Sequence, residues 1–228
     1  MAVKKNLEHY GRYLFLAAVI ADIALILLHA EQWRILTKPL LMPLLALYVW
    51  SAAGSSAGKW LIIAGLIFSA AGDTLLLFEK EYPVMFIAGL SCFLLTHILY
   101  IIYFLSSVKK GPSLLRKNPF IIMAVLVYLA GFAYLLFPKL GGLKIPVFIY
   151  TIIIGSMLLA SLDVYLKLPV KSAFRFAMGA LFFVISDSLL AFNKFFLPVS
   201  FAGLLIMLTY CLAQFLIAEG YIFANKEA

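Results

Sequence analysis

The sequence predicts an all-α integral membrane protein of about eight transmembrane helices, and two observations carry this prediction. Hydrophobic residues make up 65% of the 228 positions and charged residues only 12%, whereas soluble domains contain about 45–50% and about 25%. The hydrophobic residues also form separate long runs, and a helix needs about 20 apolar residues to cross a bilayer. Lipid is therefore the expected solvent, and we predict one polytopic domain over residues 1–228.

Eight runs are long enough to cross a bilayer, and the connections between them are too short to form a soluble domain. The first run follows three basic residues, as the apolar part of a signal peptide does, but no small-residue cleavage site comes after it. We therefore expect an uncleaved first helix. The predicted spans are residues 13–29, 36–53, 60–78, 84–105, 119–137, 145–162, 174–192 and 198–222.

The net charge of +8 comes from basic residues that stand singly or in pairs between apolar runs. This distribution is typical of membrane-flanking anchors, and we expect no binding to nucleic acid. A cytoplasmic N-terminus places twelve Lys and Arg residues on the cytoplasmic side and six on the other, so the positive-inside rule predicts that both termini are cytoplasmic. The twelve are Lys4, Lys5, Arg12, Lys59, Lys109, Lys110, Arg116, Lys117, Lys167, Lys171, Arg175 and Lys226. Short loops suggest a bacterial inner membrane.

An internal repeat appears when the sequence is shifted by 114 residues, which aligns residues 37–96 with 151–210 at fifteen identical positions. Leucines match by chance in apolar runs, so the scarce residues carry the argument. They are Gly65 and Gly179, Asp73 and Asp187, and Lys80 and Lys194. Four spans separate the copies, which predicts a parallel duplication, with halves at about residues 13–105 and 119–222, around a pseudo-two-fold axis. Such an axis would let the two aspartates face each other.

Acidic residues inside the spans are the main candidates for function. Asp73 lies about 13 residues into its helix, or about 20 Å at 1.5 Å per residue, and Asp187 lies equally deep. A carboxylate there costs several kcal/mol unless it is paired, protonated or wetted. Either acid alone could serve only to hold helices together through hydrogen bonds, but two acids at matching depth favour a functional role. Asp22 has no counterpart in the repeat, so a structural and a functional role both stay open. Lys38 either snorkels or neutralises an aspartate.

Other polar residues fall on shared helix faces. His97 and Tyr100 are three residues apart in the fourth span, and Tyr210 and Gln214 are four apart in the eighth. The sequence contains no H-E-x-x-H and no glycine-rich phosphate loop. Its one G-x-S-x-G match, residues 54–58, lies in a short connection between two predicted helices and not in the strand-to-helix turn that a nucleophile elbow requires. We therefore expect neither a metal, nor a cofactor, nor a serine or cysteine nucleophile.

Five segments resemble patterns of the YhhN family: residues 37–43, 68–78, 97–100, 175–195 and 210–214. The second contains Gly-Asp-Thr-Leu-Leu-Leu-Phe and the fourth contains Ser-Asp-Ser-Leu-Leu-Ala-Phe. That family includes lysoplasmalogenases, eight-span hydrolases that cleave the vinyl ether bond of lysoplasmalogens to a fatty aldehyde and a glycerophospho-base. The resemblance implies that Asp73 and Asp187 are catalytic. It implies Lys38, His97, Tyr150, Arg175, Tyr210 and Gln214 as pocket or supporting residues.

Two carboxyls fit the chemistry of vinyl ether hydrolysis. The reaction needs a proton donor, a negative group beside an oxocarbenium ion and a placed water, as in glycosidases. Carboxyls in different environments divide such roles, although the sequence does not say which aspartate takes which. The expected partners are a lysophospholipid with a vinyl ether chain and the bilayer, and the oligomeric state stays open. The predicted orientation places the aspartates in the outer half of the bilayer, which suggests substrate access from that side.

Two other classes of protein carry buried acids. A proton-coupled transporter of a lipid or small amphiphile combines parallel repeats with acids near the midplane. In a non-catalytic lipid-binding or assembly protein, the acids would only join helices through hydrogen bonds. The family resemblance favours the hydrolase.

Overall fold

The computed structural model describes residues 2–54, 58–108 and 111–226, with side chains from residue 10 onward except that of Ser107, and these residues form helices without a strand. Eight helices are long and apolar enough to cross a membrane. They are α1 (Ala2–Leu27), α2 (Arg34–Ala52), α3 (Lys59–Leu77), α4 (Val84–Ile102), α6 (Phe120–Leu136), α7 (Lys144–Asp163), α8 (Val170–Phe195) and α9 (Ala202–Lys226), and the short α5 (Leu114–Lys117) precedes α6. The prediction of an all-α membrane protein with about eight spans is confirmed.

Tighter or wider turns flank several of these helices. The 3₁₀ turns are Glu31–Trp33, Phe137–Lys139, Gly141–Leu143 and Val164–Leu166, and a π-helical turn covers Tyr103–Ser107. The orientation of the termini stays a prediction. Of the basic residues on which it rests, Lys109 and Lys110 and the side chains of Lys4 and Lys5 lie outside the described residues.

The helix ends differ from the predicted ones where local backbone geometry decides them. His29 adopts a left-handed conformation with φ of 53°, and the His29 and Ala30 N–H groups donate to the carbonyls of Ile26 and Leu25. This Schellman arrangement closes α1 at Leu27 rather than at residue 29. In the last connection Phe201 has φ of 58°, so α9 begins after it and not at the predicted residue 198.

One compact unit comprises Met1–Tyr103 with Tyr221–Ala228. Within it, α1 packs on α2, α2 on α3 and α3 on α4. Glycines let α3 and α4 approach closely, since a Cβ atom on Gly72 would lie 3.1 Å from the carbonyl oxygen of Gly89. The side chains of Leu41, Leu45 and Leu66 are fully buried among these helices.

The other compact unit comprises Phe104–Gly220. In this unit α6 packs on α7 and α7 on α8, and α8 meets α9 at Gly179. A Cβ atom on Gly179 would lie 2.9 Å from the Ala213 carbonyl oxygen and 2.8 Å from Cγ1 of Ile217. The lack of a side chain is therefore what allows the two helices to touch.

Positions related by the 114-residue shift make corresponding contacts inside the two units. In the first unit, the hydroxyls of Ser69 (α3) and Thr96 (α4) lie 3.0 Å apart. The shift relates them to Phe183 (α8) and Tyr210 (α9), whose rings meet edge to face at 5.6 Å. Equivalent positions thus touch in both units, through a hydrogen bond in the first and an aromatic contact in the second. These contacts are consistent with a duplication, which stays a prediction.

Gly179→Ala is expected to destabilise the protein, because the added methyl group would overlap backbone atoms of α9 that cannot rotate away. Overpacking of this kind typically costs about 1–3 kcal/mol. Thermal unfolding in detergent measures the loss. Gly131→Ala in α6 is the matched control, since a Cβ atom there meets nothing within 4 Å. An equal drop in Tm for both variants would show that the contact at Gly179 is not tight.

Candidate functional site

Asp73 is ion-paired inside the first unit. Its Oδ1 atom lies 3.6 Å from Nζ of Lys38, and the two side chains are 3% and 11% exposed. Asp73 is near the end of α3 and Lys38 is near the start of α2, so neighbouring helices bring them to the same end of the unit. Of the two expectations for Lys38, the ion pair with an aspartate is the one found.

The backbone that carries Lys38 is unusual because α2 contains Pro39 and Pro43. Neither proline has an N–H group, so the carbonyls of Ile35 and Pro39 lose the donor that a regular helix would give them. The first turns of α2 therefore hold together with fewer backbone hydrogen bonds than the rest of the helix.

Asp187 is held by a phenol inside the second unit. The Tyr150 hydroxyl, near the start of α7, donates a hydrogen bond to Oδ2 of Asp187 in α8. Tyr150 is buried and Asp187 is partly exposed. The Oγ atom of the next residue, Ser188, lies 2.7 Å from the hydroxyl oxygen of Tyr128 in α6. Both α6 and α7 thus contribute a tyrosine to this part of α8.

The predicted pair on α4 is fully buried, since His97 and Tyr100 both have no exposed surface. The ring of Tyr100 packs against Gly65 of α3, where a Cβ atom would come within 2.5 Å of it. Thr96, beside His97, donates to the Gly65 carbonyl at 2.9 Å. This face of α4 is therefore fixed against α3, the helix that carries Asp73.

Tyr210 and Gln214 are likewise buried in the part of α9 that belongs to the second unit. Tyr210 contacts Phe183, which lies one helical turn before Asp187. Arg175 is not brought to Asp187, because it precedes it by twelve residues, or about 18 Å along α8. Its Nη1 atom donates to the Lys171 carbonyl at 2.9 Å. The expectation that Asp73 and Asp187 face each other stays a prediction.

A third aspartate has partners that sequence reasoning missed. Asp22 of α1 is 1% exposed and accepts hydrogen bonds from Arg34 and Thr37 at the start of α2. Arg34 was expected only to flank a span. The signal was present, because a carboxylate in mid-span needs a donor and the first Lys or Arg after Asp22 in the sequence is Arg34.

The arrangement is suited to acid–base chemistry. A carboxyl group can transfer a proton or stabilise a positive charge, and Asp73 and Asp187 are each oriented by a donor from a neighbouring helix. Within the described part of the chain, His, Cys, Asp and Glu side chains form no group of three or more that could hold a metal ion.

The model of the YhhN family matches residues 33–221. The chain belongs to the YhhN family. Relatives of this YhhN chain include the human lysoplasmalogenase TMEM86A, which is 37% identical over 162 residues, or 69% of this chain and 63% of the relative. The lysoplasmalogenase of Mycobacterium tuberculosis is 32% identical over 171 residues, covering 74% and 62% of the two chains. The chain thus matches less than two thirds of the length of these relatives. No solved structure matches.

The family match includes every predicted site residue from Lys38 to Gln214 and leaves out Asp22. It agrees with the resemblance found in the five sequence segments. The described part of the chain contains eight helices that are long and apolar enough to cross a membrane. With its membership of the YhhN family, the chain is an integral, multi-pass membrane protein.

Lys38→Met is expected to destabilise the protein by about 3–5 kcal/mol, because it leaves the Asp73 carboxylate buried without its positive partner. Adding Asp73→Asn should recover much of the loss, since no unbalanced charge then remains. Unfolding by heat or denaturant in detergent measures both. Lys80→Met is the matched control: Lys80 lies at the same 3.6 Å from Glu31, but these side chains are 85% and 62% exposed. Little change is expected there, and an equal loss at both sites would contradict the burial argument.

Proposed function

We propose that this protein hydrolyses the vinyl ether bond of lysoplasmalogen to a fatty aldehyde and a glycerophospho-base. The observation that carries the proposal is the family match, with relatives from human and Mycobacterium tuberculosis that are both named lysoplasmalogenase. Both carboxyls proposed for the chemistry, those of Asp73 and Asp187, lie inside the matched region. Short loops between the helices support a bacterial inner membrane as its location.

The proposed reaction requires an acid and a water but no covalent intermediate with the protein. A carboxylic acid donates a proton to the β-carbon of the vinyl ether, and the electron pair of the double bond forms the new C–H bond. The resulting oxocarbenium ion takes water at the α-carbon, and a carboxylate accepts the proton that this water releases. The hemiacetal then breaks its C–O bond: the carboxylate left by the first step takes the hydroxyl proton, and the other carboxyl gives its proton to the departing glycerol oxygen. This releases the aldehyde and the alcohol of the glycerophospho-base and returns both carboxyls to their starting states.

We assign the anionic role to Asp73, because the Lys38 ammonium group balances its charge in a low-dielectric interior. There it would stabilise the oxocarbenium ion and orient the water. Asp187 then takes the role of proton donor, with the Tyr150 phenol fixing the carboxyl through Oδ2. Different partners for the two groups support a division of labour, as in other enzymes that use two carboxyls. The mechanism requires both groups to reach one substrate, and that requirement is part of the proposal.

The buried polar residues His97, Tyr100, Tyr210 and Gln214 support the proposal, since they offer hydrogen bonds within an apolar bundle. Such groups would bind the water or the sn-2 hydroxyl of the glycerol. An amphiphilic substrate also fits a membrane protein, because its alkenyl chain stays in lipid while its head reaches the polar groups. Arg175, about 18 Å along α8 from Asp187, would act only at a distance from the bond that breaks.

Purified protein is expected to release aldehyde from lysoplasmalogen and none from the saturated alkyl-ether analogue, which has no double bond to protonate. Asp73→Asn and Asp187→Asn should each lower kcat by about 10²–10⁴, the usual loss for a general acid or base. Aldehyde release over time measures the activity. If both variants keep full turnover, the two-carboxyl mechanism is wrong even when the activity is real.

Asp163→Asn is the control for these variants. Like the two proposed catalytic residues, Asp163 lies in a helix, and its carboxylate accepts hydrogen bonds from the side chains of Ser113 and Lys167. Unlike them, it is the last residue of α7 and lies outside the proposed site. Its substitution should leave turnover unchanged. A comparable loss in Asp163→Asn would indicate that any removal of a bonded carboxylate impairs the protein.

The transporter interpretation predicts helices broken near mid-membrane. In the structure α2 is a single helix from Arg34 to Ala52 despite its two prolines, and α3 and α8, which carry the aspartates, are continuous as well. No feature of these helices favours transport over hydrolysis.

A further inference from the structure

Asp22, Arg34 and Thr37 form a hydrogen-bonded cluster. The family model matches residues 33–221, so Asp22 lies outside the matched region and its two partners lie inside it. Arg34 donates Nε to Oδ1 of Asp22 at 3.2 Å and Nη2 to Oδ2 at 3.0 Å. Thr37 donates Oγ1 to the same Oδ1 at 2.7 Å. The Asp22 side chain is 1% exposed and that of Arg34 is 11% exposed. A two-point Arg–carboxylate pair of this kind fixes geometry as well as charge.

The two donors bracket the first turn of α2. Arg34 is the first residue of that helix, Thr37 lies three residues later, and Lys38 follows immediately. Pro39 and Pro43 remove two backbone donors from the next turns. Side-chain bonds to α1 therefore restrain the segment from which the Lys38 side chain extends, where backbone bonding is reduced.

We propose that Asp22 is a positioning residue that acts through Lys38. By holding Arg34 and Thr37, Asp22 fixes the first turn of α2 so that the Lys38 ammonium group stays beside Asp73. Its importance for turnover rests on the proposed function, whereas its effect on the Lys38–Asp73 pair does not. Small displacements of catalytic groups have large effects on rate, with about 10²-fold lost for a 1 Å misplacement.

A purely structural role for Asp22 makes a different prediction. If Asp22 only joined α1 to α2, its loss would lower stability by the same amount whether or not Lys38 is present. If it acts through Lys38, part of its effect disappears once Lys38 is gone. Residues that share partners show such non-additivity, and independent ones do not.

The test is a double-mutant cycle with Asp22→Asn, Lys38→Met and the combination, purified in detergent and followed by thermal unfolding. We expect Asp22→Asn to lower Tm clearly in the wild-type background and by a smaller amount in the Lys38→Met background, where only the loss of the bonds to Arg34 and Thr37 remains. Asp163→Asn, combined with Lys38→Met, is the control cycle and should be additive. Additivity in both cycles would overturn the proposal.

Turnover gives a second measurement that a structural link alone would not change. Asp22→Asn should lower kcat for lysoplasmalogen at least about tenfold and leave KM within about threefold. Thr37→Val is a milder variant in case Asp22→Asn does not fold, since it removes one bond and keeps the Arg34 pair. It should also lower kcat, and Thr37→Ser, which keeps the hydroxyl, should restore it. Failure of Thr37→Ser to differ from Thr37→Val would count against the proposal.

The two proposals fail in different ways. If no variant and not even the unaltered protein releases aldehyde, the proposed function is wrong, while the unfolding cycle still decides whether Asp22 acts through Lys38. If aldehyde is released and both cycles are additive, the hydrolase stands and the positioning role falls.

Discussion

A carboxylate among apolar helices needs a hydrogen bond or an ion pair from a donor on another helix. The way in which neighbouring helices of this protein pair depends on that requirement. Asp22, Asp73 and Asp187 lie in the later part of α1, α3 and α8, and their partners lie in the first turns of α2 or α7. An acid near the end of one helix thus meets donors near the start of its neighbour. Because an unpaired buried charge is so costly, these pairs fix the register of the helices as well as the position of the acids.

Composition and apolar runs were sufficient to predict the spans, because crossing a bilayer demands length and hydrophobicity that few other structures share. The position of Asp73 along its helix followed from counting residues, and its pairing with Lys38 was one of two expectations. The bonds of Asp22 did not follow, since they depend on how α1 is rotated against α2. Helix ends were also missed at His29 and Phe201, where left-handed backbone conformations decide the boundary and apolar periodicity carries no information.

The two units show how related positions can keep a contact while its chemistry changes. Ser69 and Thr96 share a hydrogen bond where Phe183 and Tyr210 share an aromatic contact. The acids differ in the same way, since Asp73 has an ammonium partner and Asp187 a phenol. A duplication would begin with identical environments for both carboxyls. Catalysis by two carboxyls needs unlike ones, so divergence of the partners, more than of the acids, is the step that would create a site.

The Asp22 cluster shows why a sequence motif and a functional site need not have the same boundaries. The family match begins at residue 33, one residue before Arg34, and so includes the donors but omits the acceptor. Within the motif alone, Arg34 and Thr37 would look like a flanking charge and a helix hydroxyl. Their hydrogen bonds to Asp22 of α1 show that they also restrain the start of α2. The turns that follow contain two prolines and have fewer backbone hydrogen bonds, so side-chain bonds matter more there. A helix with no recognisable motif can therefore still control the position of an ammonium group one helix away.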